Sequence, residues 1–280
     1  MVYIRAKTVK GTQYGYLVES KWDPRKKTSQ QMTLKYLGKL DEITLEDLPE
    51  QYRKDQKIIA FLTSHNPTNI KEKERLIKKL RKETFDNLTN GDLNSLLKTY
   101  SIYENSFGIS EYYENILKHV MYQIGDLWEK KQLAVATEHV ASNIAHSFVK
   151  ILNEKIAKLP TKQKILICTP PGESHTLGCN MLESYLHSKG FNVFNISPSI
   201  PTEEIIGFIK QNSPDAVLIS ITLDDNIQSG KRLAGKIKEK FKTPIFIGGR
   251  ALVNKKNLGI EAIEAQNLSM LELAKMLITV

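Results

Sequence analysis

The segment PGESHTLG, residues 171–178, places a histidine beside a carboxylate on a short loop between two apolar stretches. Imidazole is a common metal ligand and general base, and its second ring nitrogen usually bonds to an oxygen acceptor. Glu173 stands two residues before His175 and offers such an acceptor. The loop does not fit the GxGxxG or GxxxxGK[ST] patterns of phosphate-binding loops. His175 is therefore a candidate metal ligand, a candidate catalytic base, or a loop residue with ordinary hydrogen bonds.

A second group of candidate residues lies upstream, in DLWEKKQLAVATEHVAS, residues 126–142. Trp128 is followed by nine residues and then by the pair Glu138 and His139. An indole offers a broad apolar surface, and a carboxylate can accept hydrogen bonds from hydroxyl groups. Taken alone, Trp128 is more typical of a core residue at a helix end, and the Glu138-His139 pair is more typical of a solvated helix face.

The region that must position His175 alternates short apolar runs with helical patterns. The runs are KILICTP, FNVFNI, DAVLIS and TPIFIGG, and helical patterns lie near 176–189, 202–212, 226–241 and 268–279. This alternation predicts a doubly wound, Rossmann-like α/β domain with a parallel sheet, covering residues 161–280. Such sheets bind ligands beyond the carboxyl ends of their strands, and His175 is expected on that rim.

Small residues are expected at the same rim. Ser220 and Thr222 end the third apolar run, Gly248 and Gly249 end the fourth, and Gly178 begins the first helix. Side chains of this size leave a slot between sheet and helix. The sequence therefore predicts that a flat group enters the domain beside His175.

Residues 67–160 show four helical patterns, at about 70–87, 91–104, 109–130 and 134–158, and these predict an all-α four-helix bundle. Residues 1–66 instead predict a small antiparallel β-sheet of three strands, VYIRAKTV, QYGYLVESKW and QMTLKYLGKL, followed by a connector helix near 51–64. The chain is thus expected to have three domains.

The formal net charge of +9 is concentrated near the N-terminus. Residues 1–40 contain nine Lys and Arg but only two acidic residues, and aromatic residues lie among them. The basic residues are Arg5, Lys7, Lys10, Lys21, Arg25, Lys26, Lys27, Lys35 and Lys39. A basic, aromatic sheet can bind nucleic acid, in a groove or by stacking. The alternative is a solvated sheet that packs on the bundle or mediates assembly.

The pattern ExHxxG at Glu173–Gly178, followed by SxT at Ser220–Thr222 and by Gly248-Gly249, resembles the cobalamin-binding domain of corrinoid proteins. The resemblance implies that His175 is the lower axial ligand of cobalt and that the displaced nucleotide tail enters the slot. Gly178 would let the tail pass the first helix. Ser220 and Thr222 would line the slot, and Gly248 and Gly249 would flank its far side. Ser174 and Thr176 belong to the same expected cofactor-binding loop.

The upstream W-x9-EH pattern resembles the cobalamin-dependent light-sensing transcriptional regulators. The resemblance implies that the bundle covers adenosylcobalamin, with Trp128 over the adenosyl group and Glu138 and His139 beside it. Two residues depart from these families. Corrinoid methyl carriers usually have aspartate where Glu173 stands, which favours the sensor branch. Some sensors have a histidine after the tryptophan, where this chain has Glu129, so the ligand that follows photolysis is open.

These observations predict an adenosylcobalamin-binding photoreceptor without catalytic activity, which couples the state of its cofactor to DNA binding and transcription regulation through the N-terminal segment. The alternatives are a corrinoid methyl carrier that uses methylcobalamin within a methyltransferase system, and a cobalamin buffer. Two cysteines, neither in a CxxC pair, favour a cytoplasmic protein, and no apolar run has the length of a membrane helix. The resemblance also implies a homo-oligomer.

Overall fold

The computed structural model describes residues 2–23, 28–65, 70–156, 163–253, 255, 259 and 262–279. The chain divides into two compact units, Met1–Ala141 and Ser142–Val280. The division into domains at 1–66, 67–160 and 161–280 stays a prediction. Within the described part of the chain, no helix combines the length and the apolar character needed to cross a membrane.

The first unit begins with an antiparallel sheet of three strands in the order β1-β2-β3, which are Val2–Val9, Thr12–Asp23 and Thr28–Lys39. Ile4 pairs with Leu17 across β1 and β2, and both side chains are buried in one core. The other buried members of this core are Leu37, Leu40, Ile43, Leu48, Ile58 and Leu62. One face of the sheet therefore packs on the segment that follows it, residues 40–62. The predicted basic turn at Arg25, Lys26 and Lys27 lies outside the described residues.

Two helices of the first unit begin next to aspartates that accept hydrogen bonds from their first backbone N–H groups. In chain order, the unit contains α1 Gln56–His65, α2 Ile70–Thr89, α3 Leu93–Tyr112 and α4 Lys118–Glu129. Asp55 Oδ1 accepts from the backbone N–H groups of Lys57 and Ile58 at the start of α1, which places this start later than the predicted residue 51. Asp92 accepts from the N–H of Ser95 at the start of α3.

Residues 109–129, where a single helix is predicted, are helical but not α-helical throughout. The helical path of α3 is interrupted at Gly108, which has φ +68° and ψ 173°, and a π-helical segment, Tyr113–Leu117, joins α3 to α4. Glycine adopts a positive φ without the steric penalty that a Cβ brings, which is why the interruption falls at this residue. Gly108 predicted the position of the break from sequence, but no sequence feature predicts the π-helical segment.

The second unit contains a parallel sheet with strand order β5-β4-β6-β7-β8. The strands are β4 Lys164–Cys168, β5 Asn192–Asn195, β6 Ala216–Ser220, β7 Ile245–Gly248 and β8 Ile263–Glu264. The helices are α6 Leu177–Ser188, α7 Thr202–Asn212, α8 Ile227–Lys240 and α9 Met270–Thr279. The mixed α/β architecture with a parallel sheet is confirmed, and β8 is a fifth strand that the sequence analysis missed. The order reverses at β4, so the crevice between the ends of β4 and β6 is the expected ligand site.

One helix, α5 Val135–Lys155, contributes residues to both units. Its part in the second unit forms two hydrogen bonds with α6, His146 Nδ1 to Asn180 Nδ2 and Asn153 Oδ1 to His187 Nδ1, each at 3.2 Å. The two pairs have the same sequence separation of 34 residues. This stretch of α5 and α6 therefore run in the same direction, side by side.

Candidate functional site

The loop after β4 holds His175 against a buried carboxylate. Glu173 Oε1 lies 2.7 Å from His175 Nδ1 and accepts the backbone N–H of His175 at 3.0 Å. The side chain of Glu173 is 0% exposed, whereas that of His175 is 50% exposed. The ring is therefore held at one nitrogen by a buried carboxylate, while half of the side chain remains exposed.

The second oxygen of Glu173 binds the loop after β6. Glu173 Oε2 accepts the backbone N–H groups of Thr222 and Leu223, both at 2.9 Å, and the side-chain amide of Asn226 at 3.0 Å. Burial by itself raises the pKa of Glu173, but the hydrogen bonds from His175, Leu223 and Asn226 outweigh it and lower the pKa to about 2. Glu173 is thus an anion at neutral pH that joins the ends of two neighbouring strands.

The protonation of the His175 ring follows from this contact. An ionised carboxylate can only accept hydrogen bonds, so Nδ1 must carry the proton at 2.7 Å. In the neutral imidazole, Nε2 then carries the lone pair. This tautomer, set by a carboxylate at the opposite nitrogen, is the arrangement found in histidines that bind metals. The chemistry supported best at this position is coordination through Nε2.

Small residues from three elements lie next to this loop. Ser220 pairs with Gly248 in the register of β6 and β7. A Cβ added to Gly178, in the exposed first turn of α6, would lie 3.9 Å from Ser220 Oγ. Gly249 has φ +114°, and a Cβ there would overlap the backbone of Ile221. The structure therefore brings together Gly178, Ser220, Gly248 and Gly249 beside the β4 loop, where the slot is predicted.

The other predicted residues of this loop have different surroundings. Ser174 is exposed, and Thr176 is the N-cap residue of α6 but forms no side-chain capping hydrogen bond. Thr222 is half-buried, and its backbone N–H bonds to Glu173. Both threonines and Ser174 lie on the rim that carries His175. Their roles in binding stay predictions.

The upstream candidates lie at one end of the hairpin formed by α4 and α5. Trp128 is the penultimate residue of α4, Glu138 lies in the first turn of α5, and His139 follows it. The connection is a tight turn in which Trp128 C=O accepts the N–H of Lys131 at 2.9 Å. Trp128 is 47% exposed, and Val135 and Val140 are also exposed. We call the exposed indole of Trp128 at this end of the hairpin, together with Glu138 and His139, the Trp128 patch; Glu138 Oε2 lies 3.6 Å from His139 Nδ1.

Two features of the second unit were missed by the sequence analysis. Asn226 binds both the carboxylate of Glu173 and, at 3.4 Å, the carbonyl of Gly172, but it lies 53 residues beyond Glu173 in the chain. A groove of about 310 Å³ lies along α5 and α6 and includes His146, Lys150, Asn180 and Glu183 in its lining. Burial lowers the pKa of His146. No local motif marks either feature, because tertiary packing forms both.

Comparison with known families gives two matches, both to models described as a B12 binding domain. One covers residues 163–264, which contain the loop of Glu173 and His175. The other covers residues 74–153, which contain Trp128, Glu138 and His139. The two matches support cobalamin binding and a corrinoid cofactor, and they leave the upper ligand of that cofactor undetermined.

Individual relatives include corrinoid proteins and a repressor. A dimethylamine corrinoid protein of Methanosarcina mazei is 26% identical over 146 residues, which cover 50% of this chain and 68% of that protein. The transcriptional repressor CarA of Myxococcus xanthus, of the helix-turn-helix type, is 24% identical over 122 residues, 42% of this chain and 41% of the repressor. The match thus spans less than half of the repressor's length.

A solved structure shares the fold. The monomethylamine corrinoid protein of Methanosarcina barkeri superposes with a TM-score of 0.58 at 16% identity, covering 72% of this chain and 99% of that one. At this identity, the similarity extends to the fold alone.

Proposed function

We propose that this chain binds a corrinoid at the carboxyl edge of its parallel sheet and that His175 Nε2 is the protein ligand to cobalt. The observation that carries this proposal is the 2.7 Å contact between Glu173 Oε1 and His175 Nδ1. It fixes the Nδ1-protonated tautomer and orients the ring, and the hydrogen bond to an anionic carboxylate also raises the basicity of Nε2. A corrinoid would supply one cobalt ion, which His175 Nε2 would bind.

The surrounding residues fit a ligand with a flat body and a narrow tail. Gly178 is exposed beside Ser220, and the position where a Cβ would stand is 3.9 Å from Ser220 Oγ. The residues at the same edge of the sheet are small: Ser220, Thr222, Gly248 and Gly249. We assign this region to the nucleotide tail, which it would hold by packing and by hydroxyl hydrogen bonds.

For the output, we propose a sensor that responds to adenosylcobalamin and to its loss in light. The Trp128 patch supports this proposal, because an exposed indole can pack on a nucleoside, and a carboxylate such as that of Glu138, near the start of the next helix, can accept hydrogen bonds from ribose hydroxyls. The similarity to the CarA repressor also supports it. On this proposal, the cofactor state biases a two-state equilibrium of the protein, and homo-oligomerisation is one expected consequence.

A second candidate is a corrinoid methyl carrier that serves a methyltransferase. The similarity to corrinoid proteins of Methanosarcina favours it. A carrier requires the same His175 but must leave the upper position accessible to partner proteins. The two candidates therefore make different predictions for the Trp128 patch, which is needed by a sensor and dispensable for a carrier.

Binding in darkness tests the ligand assignment. Wild-type protein, His175→Ala and His187→Ala are each titrated with hydroxocobalamin and adenosylcobalamin, and absorbance spectra are recorded. We expect a histidine-ligated spectrum for wild type and for the control His187→Ala, whose ring bonds to Asn153 instead. His175→Ala is expected to lose that spectrum. If it keeps the spectrum, the assignment of the ligand is wrong.

Illumination and methyl transfer then separate the two outputs. A sensor prefers adenosylcobalamin and changes its spectrum and its molar mass, measured by light scattering, after green light. A carrier accepts methylcobalamin and returns the methyl group to a partner methyltransferase. Indifference to light, together with methyl transfer, would contradict the sensor proposal.

A further inference from the structure

The face of the N-terminal sheet opposite its core carries tyrosines and cations in two rows across the strands. Directly paired residues of neighbouring strands project from the same face. The register places them in two rows, one of Arg5, Tyr16 and Tyr36 and one of Lys7, Tyr14 and Lys39. We call this surface the tyrosine face. It lies in the N-terminal sheet and does not depend on the corrinoid site.

The three tyrosines form one cluster that is open to solvent. The ring of Tyr36 lies 6.3 Å from that of Tyr14 and 5.2 Å from that of Tyr16, measured between centroids. Tyr36 is 53% exposed, and Trp22, which shares the face by strand alternation, is 64% exposed. Rings that pack on one another at their edges and remain accessible on one side can accept a further flat group.

The charges on this face are positive. Arg5 is exposed and donates one hydrogen bond, at 2.9 Å, to Gln31 across the middle strand, and the exposed Lys7 lies in the next row. Lys39 is paired with Glu42, so Arg5 and Lys7 are the two cations best placed for a new partner. Glu19 projects from the opposite face by strand alternation, where it pairs with Lys21 at 3.2 Å.

We propose that the tyrosine face binds single-stranded nucleic acid, with bases stacked on Tyr36 and its neighbours and phosphates bound by Arg5 and Lys7. Aromatic rings next to cations match the alternation of bases and phosphates along an unpaired strand. Bases within a duplex are already stacked on one another, so exposed rings on a broad sheet gain little from double-stranded DNA. A neutral apolar partner would leave the two cations without a counter-charge.

Binding is measured by fluorescence anisotropy with labelled twelve-nucleotide strands of deoxythymidine and of uridine and with a twelve-base-pair duplex. The full chain is used without corrinoid, so that failure here does not bear on the His175 proposal. We expect both single strands to bind more tightly than the duplex. The logarithm of affinity is expected to fall with the logarithm of salt concentration with a slope of about −1.4 or steeper, from two phosphate contacts.

Matched variants locate the site. Tyr36→Ala is expected to weaken single-strand binding about tenfold, and Tyr36→Phe to retain it, because stacking requires the ring and not the hydroxyl. The control Met32→Ala changes an exposed side chain of the same strand; Met32 pairs with Glu19, which projects from the opposite face, because a register shift between β2 and β3 separates it from Tyr36. Lys7→Gln is expected to reduce the salt slope by about 0.7, whereas Lys21→Gln leaves it unchanged.

Three results would overturn the proposal. These are the absence of single-strand binding at low salt, duplex binding as tight as single-strand binding, and equal affinities for Tyr36→Ala and Met32→Ala. Circular dichroism of each variant checks that the sheet is folded. A preference for uridine over deoxythymidine strands, or the reverse, identifies RNA or DNA as the ligand within the same proposal.

Discussion

Glu173 joins two loops of the parallel sheet: Oε1 lies 2.7 Å from His175 Nδ1 after β4, and Oε2 accepts the N–H of Thr222 at 2.9 Å after β6. One carboxylate therefore orients the candidate metal ligand and also bridges the loops that follow two adjacent strands. Substitution of this residue should affect both cofactor affinity and stability, and the two effects have separate measurements.

Glu173→Gln is expected to lower the affinity for hydroxocobalamin by about 10- to 100-fold, the usual effect of losing a carboxylate behind a metal-binding histidine. The amide is no longer an anion, so it holds the Nδ1 proton of His175 less firmly. Absorbance titration in darkness measures the change. Glu203→Gln, at an exposed carboxylate paired with Lys236, is the control. An unchanged affinity in Glu173→Gln would show that the carboxylate does not support the ligand.

The low pKa of Glu173 predicts a specific pH dependence of stability. Its pKa is about 2 in the folded chain and has an ordinary value of 4.5, so the folded state favours the ionised form. This contribution is present above about pH 4.5 and is lost as the pH falls towards 2. Between pH 7 and pH 3, wild type is expected to lose about 2 kcal/mol more unfolding free energy than Glu173→Gln. Urea denaturation followed by circular dichroism measures this difference, and parallel pH profiles would contradict it.

Trp128→Ala is expected to lower adenosylcobalamin affinity about tenfold and to leave hydroxocobalamin affinity unchanged, because only the adenosyl form offers a nucleoside for the indole to cover. The exposed position of Trp128 means that the fold should tolerate the change. Leu271→Ala, at another exposed apolar residue, is the control. Equal losses for both cofactor forms would argue against a role of the Trp128 patch in recognising the adenosyl group.

Gly178→Ala should separate folding from tail binding. The added methyl group lies in ordinary contact with Ser220 Oγ, at 3.9 Å, so the free protein should remain as stable as wild type. The same methyl group narrows the predicted slot, and cobalamin affinity is expected to fall about tenfold. Cobinamide, which lacks the nucleotide tail, should bind equally to both proteins. Gly207→Ala in α7, where a Cβ meets open space, is the control.

Gly249→Ala is expected to destabilise the second unit by about 3 kcal/mol. Its φ of +114° is unfavourable for alanine, and the new Cβ would overlap the backbone of Ile221. Gly235→Ala in α8, where a Cβ meets nothing, should instead be neutral or stabilise by up to about 1 kcal/mol. Urea denaturation of both variants distinguishes a structural requirement at Gly249 from one that acts only through the cofactor.

The parallel sheet was predictable because its strands have a strong local pattern. Residues 165–167 of β4 and 217–219 of β6 are apolar, and all are buried, as strands covered on both faces must be. By contrast, β8 has two residues, Ile263 and Glu264, and exists through its pairing with β7. Its position depends on the edge of a sheet already formed, which no local pattern records.

The same distinction applies to the site. Glu173 and His175 are two residues apart, so their contact could be expected from sequence. Asn226 reaches the same carboxylate only because the fold places the end of β6 beside the end of β4. The tyrosine face is intermediate: alternation predicts which residues share a face within a strand, but the rows depend on the register between strands.

The bridging role of Glu173 also concerns the kinetics of ligand capture. The five hydrogen bonds of its side chain hold together chain segments up to 53 residues apart. A rim that is rigid before the encounter loses little conformational entropy when a bulky molecule docks. Association should then proceed without a slow rearrangement, and differences in affinity among ligands should appear mainly in their dissociation rates.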